Sequence, residues 1–184
     1  MGKPVRVLDY GAGNLRSIQR AFEAAGATVE VSPEVGGDRL VLPGVGAFAD
    51  AAVRLRPQWT ALQAWLSSGR PLLGICLGMQ LLIERSHEHG LTEGLGYFQG
   101  EVTRLPETVT VPDMGWHRLE GLGNPFVYLA HSYAVRACPD AVATLEHGGH
   151  WVAAARRGRV WGYQFHPEKS AEAGIRLLEE WLAC

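Results

Sequence analysis

Buried-strand patterns alternate with amphipathic helix patterns through the first half of this 184-residue chain. The apolar runs VRVLDY (5–10) and PLLGI (71–75) are typical of buried strands, and two helical segments, 14–26 and 59–69, each end at a glycine. A further helical pattern, LGMQLLIERSHEHG, covers residues 77–90. Strands that are joined by helices run parallel, and helices then cover both faces of the sheet. The first half therefore predicts a parallel sheet between two helical layers.

The second half changes character, because its strand patterns follow one another without intervening helices. The strand patterns are FQGEVTRL, TVTVP, FVYLAHSYAV, HWVAAA and RVWGYQFH. Gly, Pro and Asn separate them, which favours antiparallel strands, and a closing helix is predicted over 173–183. We expect a single three-layer α/β domain over residues 1–184. Its central sheet is mainly parallel and flavodoxin-like, with antiparallel additions.

Composition argues against nucleic-acid and membrane partners. The formal net charge is -2, and the densest basic cluster, ARRGRV (155–160), fits an exposed hairpin turn at Gly158. No apolar stretch approaches the roughly 20 residues of a membrane span, and the N-terminal residues do not form a signal-peptide pattern. The three cysteines cannot all pair, and their spacing is not that of a metal site. We therefore expect a cytoplasmic protein without nucleic-acid or membrane partners.

Cys76 stands between two glycines in the segment GICLGMQ (74–80), at the predicted junction of a strand and a helix. In open α/β sheets the functional site lies at the carboxyl ends of the strands. Gly-Ile-Cys-Leu-Gly has the form of a nucleophile elbow with cysteine in place of serine, and its glycines avoid collisions on a tight bend. The first amides of the following helix favour a thiolate there. A cysteine that only fills core space is the alternative interpretation.

A nucleophilic cysteine needs a base, and the base needs an orienting group. His166 and Glu168 in QFHPEKS (164–170) supply both, because residues two apart on an extended chain point to the same side. Glu168 can accept from one imidazole nitrogen and leave the other facing the thiol. The segment therefore predicts the partners of Cys76.

Two glycine-rich loops follow predicted strands. In LPGVGAF (42–48), the backbone amides around Val45 can approach a substrate and supply a second oxyanion donor. DYGAGNLRS (9–17) is not a dinucleotide-binding loop, because Arg16 occupies the position of the third glycine. Asn14 suits a helix N-cap. We interpret this second loop as part of a docking surface.

The remaining histidines do not predict a metal site. His87 and His89 lie at the end of a predicted helix, and His147 and His150 flank two glycines in a predicted hairpin. Neither pair has a recognisable third ligand. We therefore expect neither a metal ion nor a cofactor.

Six separated motifs resemble those of a known enzyme family. GICLGMQ, PGVGAF and FHPEKS are similar to the class I (triad) glutamine amidotransferases. DYGAGNLRS, VPDMGW and AHSYAV are similar, more narrowly, to the glutaminase subunits of imidazole glycerol phosphate synthase. The resemblance extends from residue 5 to about residue 180. It implies release of ammonia from glutamine through a glutamyl thioester on Cys76, with His166 as base and then acid and Glu168 as its orienting group.

The same resemblance implies the residues that bind substrate. The backbone amides of Val45 and Leu77 would hold the oxyanion. Five further positions match residues that hold glutamine in the family. They are Gly46, Gln80, Glu88, Ser132 and Tyr133.

The resemblance also implies a heterodimer. The partner would be a (β/α)₈-barrel cyclase subunit that receives the ammonia through a channel. It would make imidazole glycerol phosphate and aminoimidazole carboxamide ribotide in histidine biosynthesis. The docking face would include Asn14, Arg16, Trp116 and Lys169, which accounts for the loop at 9–17.

Two residues depart from the family pattern near this face. Asp113 stands where the family motif VPHMGW has histidine, and His117 stands where MGWN has asparagine. Both changes leave the triad residues unaltered, so they affect the expected partner contacts and not the expected chemistry.

Three alternatives remain open on the residues alone. The glutaminase of pyridoxal phosphate synthase shares the triad, but DYGAGNLRS and MGW argue against it. A free-standing γ-glutamyl hydrolase needs no docking loop. A non-enzymatic cysteine-sensor or chaperone domain can share the elbow cysteine but has no need of His-Pro-Glu.

Overall fold

The computed structural model describes residues 2–184, within which fourteen strands and five α-helices are formed. The strands are β1 (Lys3–Leu8), β2 (Ala27–Ser32), β3 (Leu40–Leu42), β4 (Leu72–Ile75), β5 (Ile83–Ser86), β6 (Thr92–Glu93), β7 (Phe98–Arg104), β8 (Asp113–Arg118), β9 (Glu120–Gly121), β10 (Phe126–His131), β11 (Tyr133–Val135), β12 (Ala141–Glu146), β13 (His150–Arg157) and β14 (Val160–Tyr163). The helices are α1 (Leu15–Ala24), α2 (Phe48–Leu55), α3 (Trp59–Ser67), α4 (Leu77–Leu81) and α5 (Ala171–Leu182). Short 3₁₀ turns cover Arg56–Gln58 and Pro167–Lys169.

Five neighbouring strands run parallel in the order β2-β1-β3-β4-β14. If these five strands alone are numbered in chain order, their order in the sheet is 2-1-3-4-5, as in flavodoxin-like folds. In such folds ligands bind beyond the carboxyl ends of the strands. Ile75, the last residue of β4, lies opposite Tyr163, the last residue of β14. Cys76 follows the first of these strands and His166 the second, so both meet at one edge of the sheet.

Alternate residues of the parallel strands face two separate cores. Leu73 of β4 belongs to the core formed with Phe22 of α1 and Trp181 of α5, whose rings meet edge-on at 5.6 Å. Its neighbour Leu72 belongs to the other core, with Leu62 of α3. Helices therefore cover both faces of the sheet, and the predicted three-layer α/β arrangement is confirmed.

Beyond β14 the sheet continues mainly with antiparallel strands, in the order β13-β11-β7, and β12 pairs with β13. A separate two-stranded sheet joins β8 to β10, with Asp113 opposite His131 and Trp116 opposite Tyr128. Asp113 and His131 are buried, whereas Trp116 is exposed. The β8–β10 pair thus has a buried inner face and an exposed outer face.

One helix is shorter than its sequence pattern predicts. The helical pattern over 77–90 continues only to Leu81, and Ile83–Ser86 forms a strand instead. The backbone carbonyl of Leu82 accepts a hydrogen bond from the Phe98 amide at 2.9 Å, so tertiary strand pairing replaces the next helical turn. Tertiary context of this kind overrides the weak intrinsic preference for helix.

Two further predictions from the sequence, a strand and a turn, can be compared with the structure. TVTVP (108–112) was predicted as a strand but pairs with no strand among residues 2–184, and its proline lacks the N–H that a ladder needs. The predicted turn at Gly158 is confirmed, since it joins β13 to β14. None of the helices within the described residues has the length and apolarity needed to cross a bilayer.

Candidate active site

Cys76 lies at the bend between β4 and α4 with φ 53° and ψ -111°. Non-glycine residues rarely adopt a positive φ, and such strain persists only where the surroundings impose it. Here the Cys76 amide donates to the Tyr163 carbonyl at 2.7 Å, and the Cys76 carbonyl accepts from the Gln80 amide at 3.1 Å. Because hydrogen bonds hold both sides of the bend, the thiol is fixed at the end of β4.

The glycines on either side of this bend lie against other backbone atoms. A Cβ atom on Gly74 would come within 2.7 Å of the Gly78 carbonyl oxygen, and one on Gly78 would collide with the carbonyl oxygen of Leu42. No side-chain rotation can relieve a contact with backbone. A larger residue at either position would therefore displace the bend that carries Cys76.

His166 and Glu168 form a buried pair beyond the end of β14. Nδ1 of His166 and Oε1 of Glu168 are 2.8 Å apart, and their side chains are 5% and 2% exposed. The His166 amide donates to the Tyr128 carbonyl at 2.9 Å, and the Ser170 hydroxyl donates to the His166 carbonyl at 2.7 Å. With Nδ1–H donating to Glu168, Nε2 is left for the thiol of Cys76.

The charges around His166 decide its protonation state. Burial by itself would lower the pKa of His166, but hydrogen bonding to Cys76 and Glu168, with the negative charge of both, raises that pKa from 6.5 to about 10. The raised pKa favours the imidazolium form of His166. An imidazolium beside a cysteine stabilises the thiolate and can protonate a leaving group.

A cavity of about 320 Å³ opens beside Cys76 and His166. Its volume suits a small ligand. Glu168 lies behind His166 and does not line the cavity. All seven residues assigned to oxyanion and glutamine binding do line it: Val45, Gly46, Leu77, Gln80, Glu88, Ser132 and Tyr133.

Gln164 is a site residue that sequence interpretation missed. Its buried side chain places Nε2 3.8 Å from Sγ of Cys76, and its Oε1 accepts from Nε2 of Gln80 at 2.9 Å. Gln80 also donates to the Tyr133 carbonyl at 2.8 Å. These amides position the thiol against the cavity wall. The available signal was a polar residue two positions before His166, on the same side of the strand pattern.

The loop that carries Val45 is anchored at its start. The Tyr10 hydroxyl donates to the Pro43 carbonyl at 2.7 Å. Burial, with a further effect from negative charge at Cys76, raises the pKa of Tyr10 far above its usual range, so this hydroxyl remains a donor. Val45 itself is 46% exposed, and Gly46 has a φ of 98°. The loop is therefore fixed at Pro43 and reaches the surface at Val45.

Glu88 connects the cavity to the start of α2. Its Oε2 accepts from the Phe48 amide at 2.7 Å, which satisfies one of the amides that a helix N-terminus leaves unpaired. With one carboxylate oxygen engaged in this way, the other can meet a cationic group of a ligand in the cavity.

The four residues predicted at a docking face are all exposed: Asn14, Arg16, Trp116 and Lys169. The Asn14 side chain accepts from the Ser17 amide at 3.4 Å, so its predicted capping role is confirmed. The Trp116 and Tyr128 rings meet edge-on at 6.1 Å, and Nζ of Lys169 lies 5.6 Å from the Tyr128 ring. Helix α1 packs against the 3₁₀ turn that carries Lys169, which brings the N-terminal loop to the same side.

The two residues that depart from the family pattern meet on the inner face of β8. Oδ1 of Asp113 and Nε2 of His117 are 2.8 Å apart, while Met114 and Trp116 point to the exposed outer face. Burial acts to raise the pKa of Asp113, but the imidazoles of His131 and His117 outweigh it and hold that pKa below its usual value. The departures therefore form one partly buried cluster behind the predicted docking face.

Comparison with known proteins agrees with this geometry. The family Glutamine amidotransferase class-I matches residues 6–183. The imidazole glycerol phosphate synthase subunit HisH of Exiguobacterium sibiricum is 45% identical over 185 residues, covering 96% of this chain and 93% of that protein. The HisH subunit of Aquifex aeolicus is 43% identical, covering 94% of this chain and 93% of that protein. The HisH subunit of Methanosarcina mazei is 41% identical, covering 98% of each.

Solved structures share the fold at lower identity. A structure titled "Crystal structure of glutamine amidotransferase" superposes with a TM-score of 0.79 at 21% identity, covering 98% of this chain and 99% of that chain. "Structure of PurLQS from Thermotoga maritima" gives a TM-score of 0.74 at 18% identity, covering 98% of both chains. By its family match and its full-length relatives, the chain belongs to the class I glutamine amidotransferases and, within them, to the HisH subunits of imidazole glycerol phosphate synthase.

Proposed function

We propose that Cys76, His166 and Glu168 are the catalytic triad of a glutaminase subunit that releases ammonia from glutamine for imidazole glycerol phosphate synthesis. The observation that carries the proposal is the convergence of the three residues at the carboxyl ends of β4 and β14. The cavity there is also lined by every residue expected to bind glutamine. The full-length relatives support the overall activity, and the cavity supports the individual roles.

The first half-reaction forms a thioester. The Cys76 thiolate attacks the side-chain amide carbon of glutamine, and a C–S bond forms. As the tetrahedral intermediate collapses, the C–N bond breaks and the His166 imidazolium gives its proton to the leaving nitrogen, so ammonia departs. The raised pKa of His166 favours the protonated form that this step requires. Glu168 holds Nδ1 and thereby keeps Nε2 directed at the reacting atoms.

The second half-reaction regenerates the enzyme. The neutral His166 imidazole accepts a proton from water as the water oxygen attacks the thioester carbon. The C–S bond then breaks, glutamate leaves, and the thiolate and imidazolium are restored. One glutamine and one water thus give one glutamate and one ammonia. The same imidazole serves as acid and then as base.

Two backbone amides would stabilise the oxyanion of each tetrahedral intermediate. Leu77 is the first residue of α4, and its amide is fixed beside Cys76 by the elbow. Val45 lies on the partly exposed loop whose start is anchored by Tyr10. One oxyanion donor is worth about 10²–10³ in rate. Correct placement of the Val45 amide can therefore switch the activity on.

Glutamine is held by polar groups around the same cavity. The Glu88 carboxylate, with one oxygen bound to the amide of Phe48, pairs with the α-ammonium group. Ser132 and Tyr133, at the junction of β10 and β11, offer polar groups for the α-carboxylate. Gly46 and Gln80 complete the wall on either side of the thiol.

The partner we infer is the (β/α)₈-barrel cyclase subunit, in a heterodimer that passes ammonia between the two active sites. Its docking face includes Asn14, Arg16, Trp116 and Lys169. An exposed apolar surface supports this assignment, since Met114 is 64% and Trp116 52% exposed. Met114 also lines the catalytic cavity, so a partner on this face lies beside the site where ammonia forms.

The competing interpretations have less support. The relatives compared above are imidazole glycerol phosphate synthase subunits, which favours this activity over the pyridoxal phosphate synthase glutaminase and over γ-glutamyl hydrolase. A cysteine-sensor domain does not need the buried His166–Glu168 pair. The three cysteines are unpaired with one another, which accords with the cytoplasmic location predicted from the sequence.

The test uses the complex with the cyclase subunit of the same organism. Cys76→Ala should abolish synthesis from glutamine and preserve synthesis from ammonium salts, because the nucleophile is needed only to release ammonia. Cys184→Ala is the matched control, since this thiol lies at the chain end outside the cavity, and it should retain both activities. Glutamine-dependent turnover in Cys76→Ala would contradict the thioester mechanism.

A further inference from the structure

Metal-ligating side chains converge on the inner face of β8. Asp113 and His117 lie on this strand, and His147 lies in the turn between β12 and β13. One donor atom of each lies within 4.8 Å of the other two. The His117 and His147 rings are perpendicular, with centroids 5.4 Å apart. Two imidazoles and a carboxylate thus point to one small volume.

The hydrogen bonding of His147 suits a ligand. Its Nε2 donates to the Thr110 carbonyl at 3.2 Å, so Nδ1 is the nitrogen that remains for a metal. Histidines that bind metals usually donate their other ring N–H to a carbonyl or carboxylate in this way. The turn is itself ordered, because the His147 carbonyl accepts from Nε1 of Trp151 at 3.0 Å and its amide donates to the Gly149 carbonyl at 2.9 Å.

The carboxylate of this group is incompletely hydrogen-bonded on its buried side. Nδ1 of His131 donates to the Tyr133 carbonyl at 2.9 Å. Nε2 of the same ring faces Oδ2 of Asp113 at 3.6 Å, and both side chains are less than 5% exposed. Within residues 2–184 neither atom has a hydrogen-bond partner. Buried polar atoms are rarely left unsatisfied, so a cation on the Asp113 carboxylate would compensate an unpaired oxygen.

We propose that Asp113, His117 and His147 form a binding site for a divalent transition-metal cation of the zinc type. Two imidazoles and one carboxylate are a donor set that suits zinc. The cation replaces the proton on Nε2 of His117, and this proton is released to solvent. The charge of the cation offsets that of the Asp113 carboxylate, whose Oδ2 has no hydrogen-bond partner among the described residues. His117 and His147 are partly exposed, so water completes the coordination from the open side.

The cation joins two parts of the fold. It ties the turn between β12 and β13 to β8, the strand whose outer face exposes Met114 and Trp116. The inference stands on the geometry of these side chains and does not depend on the catalytic assignment.

The binding test uses the full-length chain carrying Cys76→Ala, so that the active-site thiol cannot bind metal. After treatment with a chelator, the protein is titrated with zinc against a chromophoric chelator, and we expect one equivalent per chain. Asp113→Asn and His147→Gln should each weaken binding by at least about 10-fold, the smallest loss typical of residues that only support metal ligands. His150→Gln is the matched control, because this exposed histidine of the same hairpin pairs with Glu146 and should not alter affinity.

X-ray absorption of the zinc-bound protein should show only nitrogen and oxygen ligands. Sulfur in the shell, an absence of binding, or equal affinity in the parent and both ligand variants would overturn the proposal. Circular dichroism in chelator verifies that each variant is folded, and His117→Gln replaces any variant that is not.

Discussion

Two clusters of this molecule, one buried and one partly buried, pair a carboxylate with an imidazole at the same distance but with opposite charge balance. His166 and Glu168 are 2.8 Å apart, and so are His117 and Asp113. In the catalytic cluster one imidazole lies between two acidic groups, Glu168 and the thiol of Cys76, and the pKa of His166 is raised despite its burial. In the second cluster one carboxylate lies among imidazoles, and the pKa of Asp113 is lowered despite its burial. The first arrangement retains a proton for catalysis, and the second has nitrogen donors in excess, which suits a cation.

The largest effect is expected from removing the imidazole of the catalytic cluster. His166→Ala should lower glutamine hydrolysis by the complex by about 10²–10⁴-fold, because it removes the proton donor and acceptor. Glu168→Gln should lose less, since an amide oxygen can still accept from Nδ1–H. Glutamate release is the measurement, with the exposed His150→Ala as control. If Glu168→Gln proved the slower enzyme, the roles assigned to the two residues would be wrong.

The next largest effect is expected from docking. Met114, on the outer face of β8, and Val45, on the oxyanion loop, line the same cavity, so a bound cyclase subunit can act on the loop. Turning the Val45 amide toward the oxyanion should raise glutamate release by about 10²–10³-fold. The isolated chain, the complex, and the complex with a cyclase ligand should show increasing rates in that order. Equal rates in all three samples would refute the switch while leaving the triad unaffected.

The catalytic cluster was predictable from the sequence because its determinants are local. Gly74, Cys76 and Gly78 mark the elbow within five residues, and His166 and Glu168 are two positions apart. The parallel order of the central strands also followed from the alternation of strand and helix patterns. These features depend on short stretches of chain whose physical requirements are visible in the residues themselves.

The features that the sequence did not predict depend on contacts between distant parts of the chain. Gln164 reaches Cys76 across 88 residues, and its place two positions before His166 does not by itself indicate a contact with that thiol. His147 joins Asp113 and His117 only because the turn between β12 and β13 packs beside β8, so sequence spacing does not indicate this grouping. Strand β5 was misread as helix for the same reason, since its pairing with β7 is decided by tertiary structure.

A smaller effect is expected on the free energy of unfolding at alkaline pH, where, of the two clusters, only the one around His166 should contribute. The pKa of His166 is about 10 in the folded chain and 6.5 ordinarily, so its contribution to the free energy of unfolding is fully present below pH 6.5 and is lost as the pH rises through about 10. Cys76→Ala removes one negative partner and should lower this pKa and flatten the decline. Imidazole NMR titration and chemical denaturation measure the two quantities, with Cys184→Ala as control. A His166 pKa that is unchanged in Cys76→Ala would show that the thiolate does not hold the proton.

The smallest effect is expected at the acid end, from the cluster around Asp113. Its pKa in the folded chain lies below the ordinary 3.8, so its contribution to stability is present above pH 3.8 and is lost as the pH falls through the folded value. Asp113→Asn keeps the shape and can still accept from His117, but it cannot titrate. In chelator, the free energy of unfolding of the parent should therefore fall more steeply with acid than that of Asp113→Asn. The other carboxylates titrate equally in both proteins and cancel in the comparison. Parallel acid curves would show that the imidazoles do not keep Asp113 ionised, and the contrast between the two clusters would then rest on His166 alone.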